Sequence, residues 1–316
     1  MYRIGIDLGG TNIVAAVVDE TYTIISRATC KTAMPRPAED IMDDMARLVK
    51  EAAAQAGVTM QEVAFVGIGC PGTVNRATGM IEYDNNLDFQ HLPLQSEMEA
   101  RLGCPVALEN DANAAAFGEY VAGSGKDVDS CVCITLGTGV GGGVILDGNI
   151  FTGCNSSGAE LGHIVIVADG EDCTCGRRGC WEAYSSATAL IRQTRAAMEA
   201  HPESRLWEIA PTLDEVSGKT AFDGRDMGDP VATEVVNYYI HMLGCGLTNI
   251  VNIFQPEVLS IGGGICKQGD KLLKPLYDYI CAERYSKNSQ KQTRLEIAQL
   301  GNDAGLIGAA FLDKSE

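Results

Sequence analysis

Two glycine-rich segments of similar pattern most strongly constrain the fold of this 316-residue chain. In residues 3–19, and again in residues 131–147, an apolar run leads into a glycine-containing turn and then into a second apolar, β-branched run. Apolar runs on both sides of a tight glycine turn are typical of β-hairpins. Two such hairpins in one chain predict a duplicated α/β unit.

The intervals between the hairpins carry helical patterns. Residues 39–55 and the segment beginning at Asp229-Pro230 have apolar residues at helical spacing, and residues 302–311 contain small residues that allow close packing. We expect Gly244 and Gly246 to interrupt the second helix. Because the length exceeds what one core usually fills and no linker is long enough to be flexible, we expect two domains that share a cleft.

The charge of the chain limits its partners. The chain has 42 acidic and 24 basic residues and a net charge of −18, which disfavours binding to nucleic acid or to membrane surfaces. Most of the 12 cysteines lie in apolar runs, and neither a signal peptide nor a stretch of about 18 apolar residues is evident, so we expect a soluble cytoplasmic protein. Any phosphate ligand must therefore be bound by a cation or by backbone N–H groups.

The glycine motifs do not fit a Rossmann or Walker site. Residues 67–72 and 137–142 match G-x-G-x-x-G, but neither lies between a strand and a helix as a dinucleotide site requires. Residues 123–126 lack the leading glycine of a P-loop. Two facing glycine hairpins can instead present N–H groups to a polyphosphate, with Asp7 placed to hold magnesium. Ordinary hairpin turns are the alternative for either cluster alone.

Three cysteines lie close together in a polar, glycine-rich stretch, at Cys173, Cys175 and Cys180. Thiolates at this spacing can surround one soft cation, and tetrahedral zinc needs a fourth ligand, for which His163 is the nearest histidine. Reduced loop cysteines and a redox-active pair are the alternatives, although the stretch contains no C-x-x-C. We expect a closed, structural zinc site.

Three carboxylates are candidates for substrate chemistry. Glu160 precedes the cysteine cluster and Glu182 follows it, so a bound metal would fix both as acceptors for sugar hydroxyls; solvated surface acids are the alternative. Asp111 follows an apolar strand at residues 106–108 and begins a helix. The local sequence favours a helix N-cap and a catalytic role for Asp111 equally.

Together these segments resemble the ROK family of sugar kinases and sugar-responsive repressors, over essentially the whole chain. The most specific part is C-x-C-G-x-x-G-C-x-E at residues 173–182, preceded by E-x-G-H at residues 160–163. The resemblance implies an α/β fold of two actin-like ATPase (ribonuclease H-like) domains with an interdomain cleft, and a homodimer. Residues 1–116 plus 300–316 would form the N-terminal domain, and residues 117–299 the larger C-terminal domain with the zinc loop.

The activity that the resemblance implies is phosphoryl transfer from ATP to the 6-hydroxyl of a hexose, with Asp111 as the general base. Glucose is favoured, as in the bacterial glucokinases of the family. Asp88-Phe89 follows Asn86-Leu87 where the family often has a tryptophan, so kinases for N-acetylmannosamine, N-acetylglucosamine, allose or fructose stay open. A non-catalytic sugar sensor, a DNA-binding repressor and an NAD oxidoreductase are further alternatives.

The resemblance also assigns residues to three sites. Zinc would be held by His163, Cys173, Cys175 and Cys180. The sugar would meet Gly72, Asn86, Asn110, Asp111, Glu160, His163 and Glu182. ATP and its magnesium would meet Asp7, Gly9, Gly10, Thr11, Asn12, Gly137, Thr138 and Gly139, with Gly262, Gly263 and Gly264 bordering the adenosine.

Overall fold

The computed structural model describes residues 1–84 and 87–315. The chain divides into two compact units, the first made of Met1–Cys133, Gly143–Ala159 and Ala298–Glu316, the second of Ile134–Gly142 and Glu160–Ile297. Residues 117–133 and 143–159 thus belong to the first unit, whereas the sequence-based division assigns them to the second domain. The predicted domain boundaries and the interdomain cleft stay predictions.

The chain contains both strands and helices, interspersed along its length, as expected for an α/β chain. The strands are β1 (Tyr2–Leu8), β2 (Asn12–Val18), β3 (Ile24–Lys31), β4 (Val63–Cys70), β5 (Thr73–Asn75), β6 (Met80–Asp84), β7 (Phe89–Leu92), β8 (Val106–Asn110), β9 (Ser130–Leu136), β10 (Val140–Leu146), β11 (Asn149–Ile150), β12 (Val258–Gly262) and β13 (Arg294–Ile297). The α-helices are α1 (Ala38–Gln55), α2 (Leu94–Leu102), α3 (Asp111–Ala122), α4 (Glu182–Ser185), α5 (Ala187–Ala200), α6 (Leu206–Ile209), α7 (Thr220–Asp226), α8 (Pro230–Phe254), α9 (Asp270–Glu283) and α10 (Ala304–Ala310).

The first unit is built on a five-stranded sheet of order β3-β2-β1-β4-β8. β1 and β2 pair in antiparallel fashion, with Asp7 opposite Val14, which confirms the first predicted hairpin. β1, β4 and β8 run parallel, so their carboxyl ends meet at one edge of the sheet. The apolar faces of the sheet and of α1 and α2 form one buried core.

A second five-stranded sheet has the order β11-β10-β9-β12-β13. In chain order this is third, second, first, fourth and fifth strand, the same permutation as in the first sheet. The repeated order confirms the duplication expected from the two glycine-rich segments. The remaining sheet has three strands in the order β5-β6-β7, so the glycines of residues 67–72 lead into a strand and not into a helix.

Close backbone packing fixes α10 in the first unit. A Cβ atom at Gly5 would lie 1.9 Å from the carbonyl oxygen of Leu306, and one at Gly67 would lie 1.7 Å from that of Ala309. Gly308 itself faces α3, where its Cβ would lie 1.7 Å from the Ala114 carbonyl oxygen. The small residues predicted to allow close packing therefore let helix and strand backbones touch.

The longest helix, α8, corrects one expectation. Asp229 caps it by accepting a hydrogen bond from the N–H of Ala232, as predicted, but Gly244 and Gly246 do not interrupt it. Their missing side chains make room for neighbours instead: Cβ atoms there would lie 2.6 Å from the Tyr279 ring and 2.0 Å from the Trp181 ring. In the described residues, 1–84 and 87–315, no helix is both long and apolar enough to cross a membrane.

We expect Gly308→Ala to destabilise the protein by about 2 kcal/mol or more, because the added methyl group overlaps the α3 backbone. Gly305→Ala is the matched control on the same helix, since nothing lies within 4 Å of its Cβ position; alanine there should be neutral or stabilising. Thermal unfolding followed by circular dichroism measures both variants. Equal melting temperatures for the two would contradict the packing argument.

Candidate active site

Strand register gathers several predicted site residues at the carboxyl edge of the first sheet. Asp7 on β1 pairs with Gly69 on β4, and Gly69 in turn pairs with Glu109 on β8. Asp111 follows β8 at once as the first residue of α3. The two predicted carboxylates of this unit, Asp7 and Asp111, therefore lie at the same edge.

The junction between β8 and α3 is held by Asn110. Its side-chain oxygen accepts hydrogen bonds from the N–H groups of Ala112 (2.9 Å) and Asn113 (3.3 Å), so Asn110 is the helix N-cap. Its amide nitrogen donates to the Gly72 carbonyl at 3.3 Å. The alternative that Asp111 is the N-cap is wrong. Asp111 accepts a local bond from Ala112 N–H at 2.8 Å, at the start of the helix, where the dipole favours a negative charge.

Desolvation and nearby like charge affect the pKa of both carboxylates. Desolvation raises the pKa of Asp7, and the nearby Asp111 carboxylate raises it further. Desolvation likewise raises the pKa of Asp111, opposed by its backbone hydrogen bonds, while Asp84 adds like charge. Asp84 is a buried acid that sequence reasoning missed, because β6 gives no local signal that its last residue is enclosed.

The turn between β1 and β2 presents its backbone outward. The N–H of Gly9 donates to the Asn12 carbonyl at 3.0 Å, closing the turn. The buried Thr32 hydroxyl donates to the Gly9 carbonyl at 2.6 Å and anchors it from below. The predicted phosphate-binding residues Gly10, Thr11 and Asn12 are exposed at its tip.

In the second unit, the predicted nucleotide-binding glycines lie together. The N–H of Gly137 donates to the Gly139 carbonyl at 3.0 Å, so residues 137–139 form a tight turn, with Thr138 exposed at its tip. Gly263 has a φ of +107°, and a Cβ there would lie 2.0 Å from the Leu136 carbonyl oxygen. Gly262 ends β12, and the space around the Cβ position of Gly264 is open. The clusters at 137–139 and 262–264 are therefore neighbours.

Four residues of the second unit converge into a candidate metal centre. One ligand atom from each of His163, Cys173, Cys175 and Cys180 lies within 4.8 Å of all the others. His163 Nδ1 is 3.7 Å from Cys173 Sγ, and the sulfurs of Cys175 and Cys180 are also 3.7 Å apart. Burial beside other sulfurs raises the pKa of Cys180 to about 12. A cation among these atoms would favour the thiolate form.

Glu182 connects this metal loop to the glycine turn. One of its oxygens accepts the N–H of Val140 at 2.9 Å. The other accepts the Thr174 hydroxyl at 3.3 Å and lies 3.8 Å from Cys173 Sγ. Glu182 is thus not the solvated acid that was its alternative. Glu160 is exposed just before His163, and the predicted sugar contact Asn86 lies outside the described residues.

The family model described as "ROK family" matches residues 3–316. The chain belongs to the ROK family. A glucokinase of Streptomyces coelicolor is 40% identical over 312 residues, 98% of this chain and 96% of that protein. A solved ROK-family glucokinase from Streptomyces griseus, in complex with glucose and AMPPNP, is 38% identical with a TM-score of 0.79, covering 99% of both chains.

A ROK hexokinase from Thermus thermophilus is 32% identical with a TM-score of 0.82, again covering 99% of both chains. These likenesses confirm both the ROK resemblance and the predicted actin-like ATPase fold. The Rossmann and P-loop interpretations do not apply to a ROK fold. The cysteines singled out in the sequence lie together in a compact cluster.

Proposed function

We propose that this ROK-family chain transfers the γ-phosphoryl group of ATP to the 6-hydroxyl of glucose. The broader class, an ATP-dependent sugar kinase, is confirmed by the glucokinase relatives that match nearly the whole chain. The choice of glucose rests on what those relatives are named for and on the complex of one of them with glucose and AMPPNP.

Asp111 is the proposed general base. Asp111 is the first residue of α3. The side chain of the preceding Asn110 bonds both to the Gly72 carbonyl and to the N–H of Ala112 in the helix, so strand and helix together fix the position of Asp111. Desolvation raises its pKa, and a base whose pKa lies closer to the working pH accepts a proton more effectively. Asp111 would accept the proton of the sugar hydroxyl as that oxygen attacks the γ-phosphorus.

Backbone N–H groups and a cation are proposed to bind the phosphates, since the chain itself carries a net charge of −18. The exposed tip of residues 10–12 and the glycines at 137–139 and 262–264 are the proposed nucleotide contacts. Asp7 is the proposed magnesium ligand. Its carboxylate is desolvated and is repelled by the Asp111 carboxylate, and a bound cation would relieve that repulsion. Magnesium supplies positive charge against the transferring phosphoryl group.

We propose that zinc occupies the centre formed by His163, Cys173, Cys175 and Cys180. Three sulfurs and one imidazole nitrogen are a donor set that tetrahedral zinc accepts, and no ligand position is left for catalysis. Glu182 touches both this loop and the N–H of Val140, so the zinc would stabilise the glycine turn as well. The remaining sugar contacts, the homodimer and the cytoplasmic location stay predictions.

We expect ADP release in a coupled assay with glucose at the highest kcat/KM of a panel of hexoses and N-acetylhexosamines. A sugar pocket discriminates between close analogues without excluding all of them, so weaker activity on mannose or allose is compatible with the proposal. Preference for an N-acetylhexosamine would reject glucose as the substrate and keep the kinase class. If none of the sugars gives ADP release, the proposed reaction is wrong.

Asp111→Asn should lower kcat by about 10²–10⁴-fold, because the amide cannot accept the hydroxyl proton. The variant should fold, and at pH 7 it should be at least as stable as the parent: a raised pKa means that the ionised Asp111 opposes folding, and this effect disappears below the unfolded pKa of about 3.9. Kinetics and thermal melts at two pH values measure this.

The control is Asp278→Asn, at an exposed position of α9, which should leave kcat unchanged. Turnover near the parent rate in Asp111→Asn would remove Asp111 from the mechanism, whatever the melting temperature shows.

Purified protein should contain about one zinc per chain by elemental analysis, and Cys175→Ser should lose most of it, because three ligands hold the metal less tightly. The matched control is Cys154→Ser, an exposed cysteine outside the cluster, which should retain the metal. Metal-free protein with unchanged sugar binding and melting temperature would contradict a structural zinc.

A further inference from the structure

Glu109 is a buried carboxylate for which the proposed reaction has no use. It lies on β8, two residues before Asp111, and is 1% exposed. Desolvation raises the pKa of Glu109, whereas its hydrogen bonds to Asn113 and Asn110 and the charge of Arg76 lower it. An acidic side chain enclosed in this way destabilises the fold unless its contacts compensate, and a neutral residue of the same shape is often more stable.

One oxygen of Glu109 holds the junction that carries the proposed base. Glu109 Oε1 accepts a hydrogen bond from the backbone N–H of Asn110 at 2.8 Å and another from the side-chain amide of Asn113 at 3.0 Å. Asn110 is the N-cap of α3 and Asn113 lies in its first turn. The two bonds therefore tie the last strand residue and the first helical turn to the same atom, on either side of Asp111.

The other carboxylate oxygen of Glu109 forms an ion pair with Arg76. Glu109 Oε2 has no hydrogen-bond partner among residues 1–84 and 87–315, but it faces Nη1 of Arg76 at 3.5 Å. Arg76 is itself fixed, because its Nη2 donates to the carbonyl and hydroxyl oxygens of Ser315 at 2.8 and 2.9 Å. The charge on Glu109 thus has a partner, and that partner is held in place by the C-terminal segment.

We propose that Glu109, balanced by Arg76, is a positioning residue that fixes the direction in which Asp111 presents its carboxylate to the sugar hydroxyl. The inference rests on the proposed role of Asp111 as general base. Glutamine at position 109 keeps an oxygen for Asn110 and Asn113 but turns an N–H donor toward Arg76, so the junction must shift. A shift of about 1 Å in a reacting group lowers turnover by up to about 100-fold.

A double-mutant cycle tests this directly. Glu109→Gln should lower kcat about 10-fold or more while the KM for ATP stays within about twofold of the parent value. In the Asp111→Asn background the same substitution should have no further effect on kcat, because a residue that acts through Asp111 has nothing left to position. A purely structural role predicts instead that the two losses multiply.

Glu119→Gln is the matched control, since Glu119 is also a buried glutamate on α3 but at its far end. Its carboxylate accepts from Ser124, Gln299 and Leu300, so the variant should melt at a lower temperature with kcat unchanged. Parent-like kcat in Glu109→Gln, or multiplicative losses in the double variant, would overturn the inference.

The cycle separates the two proposals. If Asp111→Asn retains full turnover, the general base is wrongly assigned and the positioning role fails with it. If Asp111→Asn is impaired and Glu109→Gln is not, only the role of Glu109 fails.

Discussion

The parallel hydrogen-bond register of three strands is the constraint on which the candidate site depends. Because β1, β4 and β8 end at one edge of the first sheet, residues far apart in sequence reach the same place without long loops. Asp7 is the last but one residue of β1, and Asp111 directly follows β8. A shift of two residues in either pairing would displace one carboxylate by about 7 Å along the strand direction, beyond the range of a shared reaction.

At this edge the carboxylates of Asp7 and Asp111 repel each other, and Asp84 adds like charge near Asp111. Desolvation raises the pKa values of Asp7, Glu109 and Asp111, and the side chain of Asp84 is buried. Such an arrangement opposes folding at neutral pH, and proteins retain it mainly where function requires it. A strongly negative chain that binds a polyphosphate nucleotide needs magnesium and peptide N–H groups for the same electrostatic reason.

Local sequence patterns predict helices and strands well, but they predict the environment of individual side chains less well. Both hairpins and the Asp229 cap follow from residues close together, where glycine, proline and short polar side chains have direct conformational effects. Gly244 and Gly246 were misjudged because their role depends on the rings of Tyr279 and Trp181, which approach from other elements. A helix accepts glycine when packing compensates for its low propensity.

The site shows the same division. The cysteine cluster could be found from spacing alone, since its ligands lie within one loop and one preceding turn. The burial of Asp84 and Glu109, and the bond from Val140 to Glu182, arise only once distant strands and turns come together. The sequence pointed to the candidate carboxylates and to the cysteine cluster, but not to the burial of Asp84 and Glu109.

The packing of α10 also has a consequence for the order of events during synthesis. Gly5 and Gly67 are synthesised well before residues 304–310, which cover them. The face of β1 and β4 that packs against α10 therefore stays uncovered until residues 304–310 have been synthesised. The second unit, complete by residue 297, has all its residues before that moment. The packing of β1 and β4 against α10 thus forms only after all residues of the second unit have been synthesised.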